Sequence, residues 1–219
     1  MLYFYKFSLN PNLPAGRQEE RSNFMLLNIL KQINWVDIFI LILTLRISFI
    51  AVKSGFPVEL FKFIGTVTAT FLSLHYYIIL AGYASNWFSL GKRISLGFLE
   101  FLVFLALAIA GYCLFILVRS VFSRFLKMEA VSALNRWGGL FLGLARAALL
   151  SSLIMFVLAI SSVGYFKESV KESYLSQRLF SVAPDTYTWL WNSVISKFSV
   201  TEKYNEVIPS IKADFSITK

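Results

Sequence analysis

Any chemistry in this chain has to come from a few charged residues set in strongly apolar surroundings: Asp37, Arg46, Glu59, Lys62, Glu100, Arg136 and Arg146. An ionised side chain inside hydrocarbon is costly, so each needs a partner, a wet interior or a reach to the interface. Glu59 and Lys62 stand three residues apart and can pair on one helical face. Arg46 and Arg146 each fall within an apolar run, which leaves open a buried pairing of either with Glu59 or Glu100. The alternative use of the same residues is an ion or proton pathway. Asp37, two residues after Trp35, is expected at the interface or near a helix N-terminus.

Other chemistries lack their residues. His75 and Cys113 are each the sole residue of their type, too few for a metal cluster, a thiolate site or an internal disulfide. His75 lies beside Tyr76 and Tyr77 and is expected in an interfacial aromatic belt. There is no G-x-S-x-G nucleophile turn, no G-x-x-x-x-G-K-[ST] phosphate loop and no H-E-x-x-H zinc pair. No catalytic, cofactor or metal residue is assigned, and the chain is not expected to be an enzyme.

Composition sets the elements that must position these charges. Of 219 residues, 57% are apolar, 17% aromatic and 15% charged, with a mean hydropathy of +0.66. Soluble domains run nearer 45–50% apolar and about 25% charged. An ordinary cytosolic enzyme and a disordered chain are therefore excluded. The apolar excess gathers into four stretches, 35–52, 58–80, 96–118 and 138–163, each near the roughly 20 residues that cross a bilayer. Short connections make sequential neighbours antiparallel. The expected fold is an all-α integral membrane protein: four transmembrane helices with amphipathic interfacial and C-terminal helices.

Three regions follow. Residues 1–34 form an N-terminal extension with a short amphipathic segment, in which translation starting at Met25 is an expectation. Residues 35–163 form the transmembrane domain. In 164–219, Tyr187, Leu190, Trp191, Val194, Ile195 and Phe198 recur at helical spacing after Pro184. So aromatic a face is expected on the bilayer, on the bundle or on a partner, with 200–219 a mobile tail. Between the third and fourth spans, 119–137 reads equally as a helix in the headgroup plane or as a continuation of the third span.

Small residues recur every four positions in two spans: Gly65, Ala69 and Ser73 in the second, Gly139, Gly143, Ala147 and Ser151 in the fourth. Such ridges let backbones approach closely, so these two spans are expected to pack tightly, with each other or across a homo-oligomer. Ala106 and Ala110 offer a shorter version in the third. The net charge of +9 is read as headgroup contact and topology, with no nucleic-acid partner.

The order of these features resembles the colicin V production protein (CvpA) family. The matching residues are Asn34-Trp35-Val36-Asp37, the run Gly55, Glu59, Lys62 and Gly65, the pair Tyr76-Tyr77, and above all 134–147, with Arg136, Gly139, Gly143 and Arg146. Ser176-Gln177-Arg178-Leu179 and Ala183-Pro184 extend the likeness. The resemblance implies a non-enzymatic, multi-pass protein of the bacterial cytoplasmic membrane, needed for production or export of the colicin V toxin and for envelope function. It implies the lipid bilayer, further copies, or envelope and secretion proteins as partners, with no small-molecule substrate. An even number of spans puts both termini on one side. The cluster Arg119, Arg124, Lys127 and Arg136 favours a cytoplasmic third connection and extracytoplasmic termini.

Overall fold

A computed structural model describes residues 34–87, 95–125, 132–198 and 202–216. Residues 1–33 of the N-terminal extension, Met25 among them, lie outside the described residues, as does Lys127. The described residues are helical and include no strand. Among the described residues four helices are long and apolar enough to cross a membrane: α1 (Trp35–Ser54), α2 (Phe56–Trp87), α3 (Leu96–Phe125) and α4 (Ser132–Ile160). The fold is thus an all-α membrane protein with four spans. α3 runs unbroken to Phe125, so 119–125 continues the third span.

The spans do not stand in chain order. α4 packs against α1 and α2, and α2 against α3, whereas α1 and α2 touch little beyond their shared turn. Across the layer the order is α1, α4, α2, α3. The outer pair, α1 and α3, is the most apolar and the least buried. That is the distribution a lipid solvent demands, because polar side chains are tolerated only where protein covers them.

α2 and α4 pack against each other, as expected, but the closest approaches at the glycines of the two ridges are made by α1 and α3. The α4 ridge receives α1. A Cβ on Gly139 would lie 2.8 Å from the carbonyl oxygen of Ala51, and one on Gly143 would overlap the Ala51 methyl. The α2 ridge receives α3, where a Cβ on Gly65 would lie 2.7 Å from the Phe115 ring. The close point on α3 is Gly111, whose Cβ position is 2.9 Å from the Ala69 Cα. Ala106 and Ala110 instead face outward. Ala147 and Ser151 are fully buried, and Ser73 donates its hydroxyl to the Ala69 carbonyl 2.7 Å away.

The turn between α1 and α2 needs one glycine. Gly55 has φ +79°, a conformation that strains any residue with a Cβ. Asn135 fills the space above it, its Oδ1 accepting the Phe56 N–H at 2.7 Å. A side chain of α4 thereby caps α2 and ties both helix starts to one end of the bundle.

The C-terminal region folds back on the opposite end. It comprises α5 (Gly164–Glu172), α6 (Ser176–Leu179), α7 (Val182–Leu190) and α8 (Val207–Ser216). α7 continues through a π-helical turn, Trp191–Ile195, into Ser196–Phe198. The aromatic stripe is divided. Tyr187 is wholly buried and Trp191 nearly so, while Phe198 is 85% exposed. The tail expectation fails for 202–216: Ile208 is fully buried, and Phe215 stacks on Phe180 with centroids 4.6 Å apart.

Candidate functional site

Four of the charged residues singled out by type and spacing meet at the end of the bundle that carries the Gly55 turn. Glu59, one turn into α2, is completely buried. Its Oε1 accepts the Lys62 ammonium at 2.5 Å, as the three-residue spacing requires. Its Oε2 lies 3.1 Å from Nη2 of Arg146, so the expected inter-span pairing is realised by Arg146. That second contact is an ion pair without hydrogen-bond alignment: Oε2 and the Arg146 Nε both lack a hydrogen-bond partner. Lys62 also donates to Ser54 Oγ at 3.0 Å.

Arg46 joins the group from α1. It is exposed and lines, with Lys62, Arg146 and Tyr112, a cavity of about 380 Å³ whose other walls are aliphatic. Among the described residues no carboxylate pairs with Arg46. Glu100 is half-buried near the start of α3, at the far end, and stays out of the cluster. Arg136 is exposed at the start of α4.

Asp37 belongs to the opposite end, and burial replaces the solvated setting that an interfacial carboxylate would have. It is 5% exposed and accepts four hydrogen bonds. Ser173 Oγ and the Leu175 N–H approach Oδ1 at 2.7 and 2.8 Å. The Asn34 and Tyr174 N–H groups approach Oδ2 at 3.0 and 3.3 Å. Asp37 therefore caps its own helix and clasps the α5–α6 turn. Trp35 donates to Ser169 Oγ at 2.9 Å and stacks on Tyr165, strengthening the same joint.

His75 is buried as well, between the rings of Phe71 and Trp191, and so differs from a belt residue facing headgroups. Its Nε2 is 3.1 Å from Glu202 Oε2, and its Nδ1 is 3.0 Å from the Tyr187 hydroxyl. A carboxylate can only accept, so the Nε2–H donates to Glu202, while the contact between Nδ1 and the Tyr187 hydroxyl holds the other side of the ring. The Tyr187 oxygen in turn accepts the Asn205 N–H at 3.1 Å. Burial pushes the Tyr187 hydroxyl up to about 12. The hydrogen bond from His75 holds Glu202 below the usual carboxylate range.

Sequence reasoning did not reach Asn135, Ser173, Tyr112 or Glu202. Asn135 had a signal, since it stands in the 134–147 run beside a glycine turn that needs a cap. Ser173 and Glu202 lie in polar stretches whose periodicity carries no address. Among the described residues no group of three or more His, Cys, Asp or Glu is placed to hold a metal.

The fold and the ionic cluster define a class: a multi-pass helical membrane protein with a charged cavity at one end and a docked helical cap at the other. A family model described as Colicin V production protein matches residues 36–198. The chain belongs to that family. No curated protein and no solved structure matches it.

Proposed function

We propose that this chain is a non-enzymatic accessory or scaffold protein of the bacterial cytoplasmic membrane, serving colicin V production or export and wider envelope function. The family match over 36–198 carries the reading. Support also comes from how the intramembrane polar groups are spent. Thr66 and Thr70 return their hydroxyls to carbonyls one turn back on α2, and Asp37 and His75 hold the C-terminal cap. Between that cap and the ionic cluster lies a packed layer that includes Phe104, Phe156 and Met155. The alternative, a small channel or transporter lined by Arg46, Glu59, Lys62, Glu100 and Arg146, has to pass that layer.

Two measurements divide the readings. Cross-linking in native membranes should recover envelope or secretion proteins, and removing the chain should lower toxin export. Liposomes holding the purified protein should stay tight to ions. Flux that changes with Arg46→Ala or Glu100→Ala would overturn the scaffold reading in favour of the channel. The basic third connection supports extracytoplasmic termini. A fluorescent reporter at Lys219 that lights without phosphatase activity from the matching fusion would reverse that assignment.

A further inference from the structure

The ionic cavity holds more positive charge than the protein neutralises. Arg46, Lys62 and Arg146 line it, and among the described residues Glu59 is the carboxylate that meets Lys62 and Arg146. Arg146 is 5% exposed, yet its Nε has no hydrogen-bond partner. Its ion pair with Glu59 lacks hydrogen-bond alignment, so the guanidinium is under-satisfied and an acceptor entering the cavity adds hydrogen bonds to it. A guanidinium fork beside a lysine point charge matches the oxygens of a phosphate.

The surroundings indicate where that phosphate comes from. Arg46 stands on α1 between the cavity-lining Ile47 and Ile50 and the strongly exposed Ile42, Leu45 and Phe49. It therefore marks a mouth that opens on the surface a bilayer covers. α1 and α3 both line the cavity but make no substantial contact with each other, so the gap faces sideways into lipid. Lys62 is six residues beyond Phe56, roughly 9 Å along α2 at 1.5 Å per residue. An interfacial zone of about 5–7 Å per leaflet brings the charged tips near the inner edge of the headgroups. Leu150 and Ile47 make the rest of the wall apolar, which a free ion does not need and an acyl chain does.

We propose that this cavity seats the phosphate of an anionic membrane lipid, with Arg146 and Lys62 taking its oxygens, Arg46 closing the mouth and the acyl chains leaving between α1 and α3. The site is independent of the toxin-production reading and stands or falls by lipid binding alone.

The test uses the full purified chain in nanodiscs of phosphatidylcholine with and without phosphatidylglycerol, and native mass spectrometry of the lipids retained. Wild type should retain phosphatidylglycerol over phosphatidylcholine by about tenfold, and Arg46→Gln should lose about that factor. Arg46 has no carboxylate partner among the described residues, so the variant should keep the wild-type melting temperature. Leu43→Trp, which fills the cavity from its apolar side without removing a charge, provides a second variant with the same expected loss. Equal retention of the two lipids, or retention unchanged in both variants, would overturn the proposal. Inorganic phosphate added to the chain in neutral detergent separates the sources. Arg46-dependent stabilisation by phosphate, without any preference for phosphatidylglycerol, would overturn the lipid as the ligand.

Discussion

Glu59→Gln is the sharpest perturbation of the ionic cluster. The carboxylate is fully buried and holds Lys62 at 2.5 Å and Arg146 at 3.1 Å. Lys62 keeps 15% of its side chain exposed, so it can turn toward Ser54 and the interface when the charge is lost. Arg146 has no such exit. Breaking a buried pair from one side costs about 3–5 kcal/mol, because the remaining charge stays uncompensated. Replacing both partners with uncharged groups of similar volume is much cheaper, so Glu59→Gln/Arg146→Met should stay within about 2 kcal/mol of wild type. The coupling between the two sites then exceeds about 1 kcal/mol. The assay is reversible unfolding in neutral mixed micelles, titrated with dodecyl sulfate and followed by helical circular dichroism. The reasoning fails if the two single-variant costs simply add, or if Glu59→Gln costs under about 1 kcal/mol.

Three further outcomes are expected. Asp37→Asn keeps the shape but turns an amide NH₂ toward donors; at about 1–3 kcal/mol per unsatisfied donor, it should free the α5–α6 turn to protease, and cleavage like wild type would count against the clasp. Gly143→Val should destabilise by at least about 1–3 kcal/mol through overlap with Ala51. Gly82→Ala, in open space on α2, should gain up to about 1 kcal/mol of helix propensity, and matched effects at the two sites would remove the ridge explanation. Glu202 has a depressed pKa, so its contribution is complete above the ordinary 4.5 and is lost as pH falls through the lower folded value. The protection factor of the Asn205 amide, its exchange rate relative to the intrinsic rate at the same pH, should fall on acidification in wild type and lose that step in Glu202→Gln; an identical acid step in the variant would refute the link.

Much of the membrane part was legible because hydrocarbon leaves little choice. Twenty apolar residues in a row have one cheap conformation, and Glu59–Lys62 spacing predicts their contact from helical geometry alone. The pairing of Arg146 was narrowed to two acids, and proximity chose Glu59 over Glu100. The partners of the glycine ridges were not legible. A small-residue stripe states that something comes close, while its occupant depends on the order of spans across the layer. His75 and Asp37 were read as interfacial because nothing in the polar C-terminal stretch announces that it folds back over them. Their partners are 112 or more residues away in sequence: Glu202 and Tyr187 for His75, Ser173 and Leu175 for Asp37.

The order α1, α4, α2, α3 has a consequence for synthesis. α2 and α3 follow each other from the ribosome and can close as a hairpin at once. α1 is made first, yet its chief neighbour α4 begins only at Ser132. Until then α1 must wait in the membrane with the contact surface around Ala51, which later meets Gly139 and Gly143, uncovered. The last span to emerge therefore completes the molecule: it recruits the first, delivers Arg146 to Glu59 and lets Asn135 cap the Gly55 turn. A chain arrested before α4 leaves its first helix in the membrane without its chief neighbour and leaves Glu59 without Arg146.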